Sequence, residues 1–181
     1  MKLLYTTDRL ELRILSSDQA QPVLEFYQRN STFLAPFEPD RHEKFYTLEF
    51  QRRNLSSEYN AFLKYSYIRF WLFLKDHPEK AIGSVCFSNF LRAPFCRCTL
   101  GYKMDQDFCR KGYMKEALSF LLPVVADEYH LHRMEAYVMP SNVPSIRLLS
   151  SLNFQKEGLI REYALIQNRW QDHLLFSHIN G

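Results

Sequence analysis

The stretch Leu100–Ala117, LGYKMDQDFCRKGYMKEA, decides how the rest of the chain is read. Thr99–Met104 is apolar and aromatic enough for a buried strand. After it, Met114, Ala117, Leu118, Leu121, Leu122 and Val125 recur at the i, i+3, i+4, i+7 spacing of one helix face. Between them the short loop Asp105–Lys111 carries the adjacent cations Arg110 and Lys111 and runs into Gly112. A strand, a tight basic loop with glycine and a helix start is the build of an anion site. The first helical turn has unpaired backbone N–H groups, and the aligned peptide dipoles favour negative charge there. A glycine, lacking Cβ, lets a phosphate approach the backbone closely. The string is neither a G-x-x-x-x-G-K-[ST] loop nor a G-x-G-x-x-G fingerprint, and a solvated loop-to-helix junction is the plainer alternative.

The 181 residues suit one domain, 1–181, with a sizeable core. Hydrophobic residues make up 46% and charged residues 24%, a soluble globular composition that argues against disorder. The formal charge of +3 is mild and the basic residues alternate with acids, so no nucleic-acid partner is expected. The longest apolar run, Phe120–Ala126, is too short for a membrane span, and Met1–Tyr5 meets polar residues at once, without a signal-peptide core. A cytoplasmic protein with no membrane partner is the expectation. Cys86, Cys96, Cys98 and Cys109 show no metal-ligand spacing, so no metal is expected, and Cys96 and Cys98 are expected on one side of a strand.

Along the chain, Arg9–Leu15 (RLELRIL) alternates as a half-buried strand, and a helix from Ser16 to about Arg29 follows, ended by Asn30-Ser31. Phe33–Pro39 reads as a proline-punctuated loop, and Glu43 to about Lys64 as an amphipathic helix. Ile68–Lys75, Ala81–Leu91 and Phe95–Met104 read as strands, with Gly83 marking a bulge or a close backbone approach. A helix from Gly112 to about Tyr129 contains Pro123 as a kink. Then come a strand at Arg133–Met139, a short helix at Asn142–Ser150, and a closing hairpin of Asn153–Leu165 and Trp170–Ile179. The order predicts an α/β fold, a mixed sheet covered by helices.

Several pieces together resemble the GNAT superfamily of N-acetyltransferases, and within it the RimJ/RimL-type branch that acetylates ribosomal-protein N-termini. They are Thr7–Arg13 as an opening strand, Ile82-Gly83, Leu100-Gly101-Tyr102, Gly112–Leu118 as pyrophosphate loop and helix, and Asn142–Leu149 as the N-x-x-S helix. Asn153-Phe154, Glu157-Gly158 and Trp170-Gln171-Asp172 complete the likeness, in family order over nearly the whole chain. The resemblance implies a GNAT-type, mostly antiparallel central sheet flanked by helices, often in a homodimer. Two positions depart from it. The family loop Q/R-x-x-G-x-G/A has Cys109 at its first position and Met114 at its last. Where many members place a tyrosine seven residues after the asparagine, this chain has Leu149, while Ser145 matches the serine of the RimJ/RimL-type branch.

As the resemblance implies, acetyl-CoA (coenzyme A) lies between the strand ending at Met104 and that ending at Met139. Tyr102, Lys103 and Met104 flank its pantetheine, and the backbone of Cys109, Arg110, Lys111, Gly112, Tyr113 and Met114 holds its pyrophosphate. Asn142 fixes the pantetheine or the helix start. Ser145 protonates the leaving thiolate or simply bonds the helix start. Glu162 and Glu38 are the candidate general bases, or surface carboxylates. Phe33, Phe37 and Phe45 line the acceptor site together with Glu38, or pack into the core. The expected reaction moves an acetyl group to a primary amine. A weak base suits an α-amine, with a reference pKa of about 7.7–8.0, better than a lysine near 10.4. A protein N-terminus is therefore the expected acceptor, against a small-molecule amine or a catalytically silent acyl-CoA-binding protein.

Overall fold

The alternating opening segment and the aromatic segment after residue 67 meet in one sheet, as their patterns predict. The computed structural model describes residues 1–180. Its order is β1 (Leu4–Thr6), β2 (Leu10–Arg13), α1 (Ala20–Leu34), α2 (Leu48–Leu63), β3 (Ile68–Leu74), β4 (His77–Leu91), β5 (Arg97–Met104), α3 (Tyr113–Tyr129), β6 (Arg133–Val138), α4 (Val143–Ser150), β7 (Gln155–Ile166) and β8 (Arg169–Ile179). The strands form an eight-stranded sheet, β1-β2-β3-β4-β5-β6-β8-β7, antiparallel throughout except where β5 meets β6.

Strand alternation divides the core between the two faces. Phe70, Leu72, Leu100, Met134 and Ala136 pack with Leu118, Leu121 and Val125 of α3 and Leu149 of α4. Trp71 and Phe73, from the alternate positions of β3, pack with Val23, Phe26 and Tyr27 of α1 and Leu55 of α2. Each large side chain removed from water contributes about 1.5–3 kcal/mol, so the apolar stripe of α3 anchors the helix whose start matters below.

Several boundaries differ from the sequence reading. Helix α1 continues through Asn30-Ser31 to Leu34, because the buried Asn30 donates from Nδ2 to Phe26 O at 2.9 Å and needs no water. Phe33 therefore lies on a helix. The 43–64 segment begins as a single tight turn at Glu43–Tyr46. The α-helix starts only at Leu48, where Thr47 Oγ1 accepts the Phe50 N–H at 3.3 Å. Cys96 precedes β5 with φ +42°, so alternation does not reach it, and only Cys98 joins the core. Helix α3 runs unbroken through Pro123. The three-residue β1 went unseen. At Gly83 the expected close approach is present: a Cβ there would lie 2.8 Å from Lys103 O.

Candidate active site

The loop between β5 and α3 is braced from two sides. Asp105, 1% exposed, accepts from Arg29 Nε at 2.5 Å through Oδ2 and from the Asp107 N–H at 3.0 Å through Oδ1. Asn30 Oδ1 accepts the Gln106 N–H at 2.9 Å, so α1 fixes where the loop begins. On the other side Glu116, in the first turn of α3, accepts from Thr7 Oγ1 at 2.5 Å, the Arg9 N–H at 2.9 Å and Arg9 Nε at 2.7 Å. Partial burial raises the Glu116 pKa, but the Thr7 and Arg9 bonds outweigh it and hold the carboxyl below its usual range. Arg9 also donates from Nη1 to Lys111 O at 3.0 Å and covers the Tyr113 ring at 4.4 Å.

Within this frame the backbone reverses sharply. Arg110 has φ +61° and Gly112 φ +82°, the left-handed region that glycine enters without penalty. As a result none of the six N–H groups from Arg110 to Lys115 donates to a protein acceptor among the described residues. The first helical bond is Glu116 N–H to Gly112 O at 3.0 Å. Arg110, Lys111 and Gly112 are exposed. The Met114 side chain is buried in the core, so this residue offers the loop only its N–H. Cys109 Sγ donates to Asp105 O at 3.4 Å, and burial first, then Asp105, push its thiol pKa up, which makes it a loop brace rather than a nucleophile. With Cys109 and Met114 at the two departing positions, both side chains turn inward and the loop presents its Arg110–Lys115 backbone N–H groups unpaired.

Strand β5 leads to this loop along an open edge. It pairs with β6 only over Arg97–Thr99 against Arg133–Glu135, and beyond that the strands diverge. Leu100–Met104 keeps its antiparallel partner β4, from Phe87↔Leu100 to Gly83↔Met104. The opposite edge faces the wedge. On one side of the wedge Tyr102 Oη lies 2.6 Å from Ser145 Oγ, joining β5 to α4. Burial pushes the Tyr102 pKa up to about 12, partly countered by the Ser145 bond, so both hydroxyls keep their protons near neutrality. Asn142 Oδ1 accepts the Ser145 N–H at 3.2 Å and caps α4, while its Nδ2 donates to no protein group among the described residues.

Lys103, one position on, points to the other face, where its ammonium pairs with Glu38 and lies 5.1 Å from the Tyr27 ring centre. Arg41 Nη2 reaches the same carboxylate at 3.4 Å. Burial raises the Glu38 pKa, but the two cations more than offset this and hold it below the usual range, which makes Glu38 a weak base. Here a cavity of about 370 Å³ is lined by Tyr27, Leu34, Glu38, Arg41, Phe45 and Tyr46. Phe33 packs against the core behind it and Phe37 is 37% exposed; neither lines the cavity. Glu162 sits elsewhere, exposed at a bulge of the edge strand β7, with φ +50° and its N–H on Asp172 Oδ1 at 2.8 Å.

The structure therefore brings Tyr102 and Ser145 together, keeps Arg110–Met114 as a donor array, and sets Lys103 with Glu38 on the opposite face. Sequence reasoning missed Arg9, Glu116, Arg29, Asn30 and Asp105. Their partners lie 76 or more positions away in the chain, and no local pattern marks them.

A sheet split at one parallel junction, beside a helix that begins as a free donor array, defines an acyl-CoA-dependent transferase fold. Residues 9–155 match the acetyltransferase (GNAT) domain, and the chain belongs to that family. Among its relatives, the ribosomal protein uS5-alanine N-acetyltransferase of Escherichia coli is 39% identical over 96% of this chain and 89% of its own length. A probable N-acetyltransferase of Bacillus subtilis, YjcK, is 30% identical over 93% of each. The crystal structure of the ribosomal-protein-S5-alanine acetyltransferase from Vibrio fischeri shares the fold with a TM-score of 0.93 and 31% identity, over 99% of this chain and 97% of that one. Among the described residues no helix is long and apolar enough to cross a membrane.

Proposed function

We propose that this protein transfers an acetyl group from acetyl-CoA to the N-terminal α-amine of a protein, a ribosomal protein being the acceptor class, in the cytoplasm. The observation that carries the reading is the row of unpaired N–H groups from Arg110 to Lys115, set beside the open edge of β5. The relatives named for acetylation of a ribosomal-protein alanine, alike along nearly the whole chain, support the acceptor.

Bound acetyl-CoA supplies an activated acyl thioester. The chain's own residues do the rest. The Arg110–Lys115 amides, reinforced by the Arg110 and Lys111 charges, hold a pyrophosphate in the manner of a helix start and backbone nest. The free edge at Tyr102–Met104 offers backbone partners for the pantetheine amides, and Asn142 Nδ2 offers a further donor. Backbone N–H groups on that edge are the oxyanion donors. In the net reaction the amine nitrogen forms the new bond to the acyl carbon, the carbon–sulfur bond breaks, nitrogen loses a proton and sulfur gains one. Ser145, hydrogen-bonded to the neutral Tyr102, delivers the proton to sulfur. A thiol has a reference pKa of about 8.5, so this step needs little acid strength.

On the acceptor face two carboxylates among the described residues line the cavity, Asp40 and Glu38; Glu38 is weakened as a base by Lys103 and Arg41, and Glu162 remains a further, exposed candidate. That setting suits an amine already partly neutral near pH 7, an α-amine rather than a lysine. The test is acetyl transfer to one alanine-starting peptide containing an internal lysine, with its α-amine free or blocked. Acetylation of the free form alone is expected, located at the N-terminus by mass spectrometry. Transfer confined to the lysine would overturn the acceptor assignment.

A further inference from the structure

The apex of the β5–β6 wedge carries a polar cluster that the roles above leave unused. Glu135 sits at the last β5–β6 register pair, opposite Thr99, and is 4% exposed. Its carboxylate accepts from Arg97 Nη1 at 2.8 Å, Arg133 Nε at 2.7 Å and Tyr137 Oη at 3.0 Å. Burial raises its pKa, yet these partners hold it below the usual carboxylate range, so it stays charged and serves as a fixed acceptor for the tyrosine hydroxyl. Arg133 in turn is held by Glu157.

Tyr137 is two residues further along β6, on the same face, beyond the point where the strands stop pairing. Met134, Ala136 and Val138 belong to the core beneath α3 and α4, so Glu135 and Tyr137 face away from those helices, toward the acceptor side. In line with it on β5 is Gly101, which carries no side chain; a Cβ added there would meet only Cys86 Sγ within 4 Å, and nothing from the Tyr137 side. The Tyr137 ring is stacked on Tyr163 of β7, with 4.6 Å between centres and 8° between planes. The Tyr163 ring also meets His173 of β8 at 4.9 Å. The hydroxyl donates to Glu135, and its oxygen keeps acceptor capacity that no protein donor uses among the described residues. Burial, then Glu135, push its pKa up to about 12, so it remains a neutral phenol across the working range.

We propose that Tyr137 holds the acceptor amine, its phenol oxygen accepting a hydrogen bond from the amine N–H at the wedge apex, with Glu135 as the positioning residue that fixes the hydroxyl. The assignment rests on the acetyl-transfer reading above and names the group that orients the nucleophile in it. It also accounts for a site without a strong base: the neutral amine is aligned rather than deprotonated by the protein.

The test is steady-state kinetics of the full chain with an alanine-starting peptide, comparing Tyr137→Phe, Glu135→Gln and the double variant across pH. Tyr137→Phe keeps the stacked ring, so folding and acetyl-CoA affinity by calorimetry should match the wild type. Loss of one hydrogen bond should lower kcat/KM for the peptide roughly three- to tenfold, without moving the pH midpoint set by the amine. Glu135→Gln should lower it in the Tyr137 background and have no further effect once Tyr137 is phenylalanine, whereas a purely structural role would add in both. Wild-type kcat/KM in Tyr137→Phe, additive losses, or a shifted pH midpoint would overturn the Tyr137 role alone. A wild-type enzyme that acetylates no peptide would overturn the acceptor reading and this role with it.

Discussion

Helices α3 and α4 both start at the wedge, yet their first turns are finished in opposite ways. At α4 every early donor is accounted for within the chain. The Val143 N–H bonds Ser141 O at 3.0 Å, Pro144 has no N–H, the Ser145 N–H bonds Asn142 Oδ1, and the Ile146 N–H bonds Asn142 O at 3.1 Å. At α3 the N-cap is Gly112, which has no side chain to give, and the donors from Arg110 to Lys115 stay free. The two starts have similar backbone needs. The difference is that α4 satisfies its own first turn, whereas α3 is tied down by Glu116 and Asp105 so that its first turn points outward. A family resemblance assigns both helices to the cofactor; the hydrogen bonds distinguish them, and the proposed division of work is anion binding at the unpaired donors of α3 and proton delivery through Ser145 at α4.

The largest expected effect comes from closing the difference at Gly112. Gly112→Val puts a β-branched residue at φ +82°, with its Cβ 3.4 Å from Arg9 Nη2. The backbone strain of about 1–3 kcal/mol is relieved only by moving the loop. Acetyl-CoA affinity by calorimetry should then fall by roughly ten- to hundredfold, and an unchanged affinity would break the comparison. A smaller effect is expected at α4. Asn142→Ala removes a cap and should lower unfolding free energy by about 1 kcal/mol in denaturant titration. Acetyl-CoA affinity should fall far less than at Gly112. A loss of binding as large as that of Gly112→Val would mean that α4, not α3, carries the anion.

How much of this was legible in the sequence depended on how local the cause was. The apolar face of α3, the alternation of Arg9–Leu15 and the crowding at Gly83 follow from neighbours within a few residues, and they stand in the structure as read. So does the closing hairpin, whose turn residues Gln167 and Asn168 both have positive φ, as a two-residue hairpin requires. The overrun of α1 was hidden because Asn30 looks like a helix stop unless its distant partner, the Gln106 N–H, is known. The bracing of the loop was hidden for the same reason: Arg9 and Glu116 are 107 positions apart. Lys103 is the instructive case. Period-two alternation already sets it on the opposite face from Tyr102, but a resemblance that names a strand as cofactor-binding does not distinguish its two sides. Phe33 and Phe37 fell outside the cavity because the segment coils into helical turns instead of running as an extended loop.

The most direct measurement is an amide NMR titration of the labelled protein with acetyl-CoA. The account predicts that the largest shifts fall on the backbone N–H groups of Arg110–Lys115, with the Ser145 and Ile146 N–H groups, already bonded within α4, moving far less. Saturating ligand that leaves Arg110–Lys115 unmoved while shifting the α4 amides would contradict it.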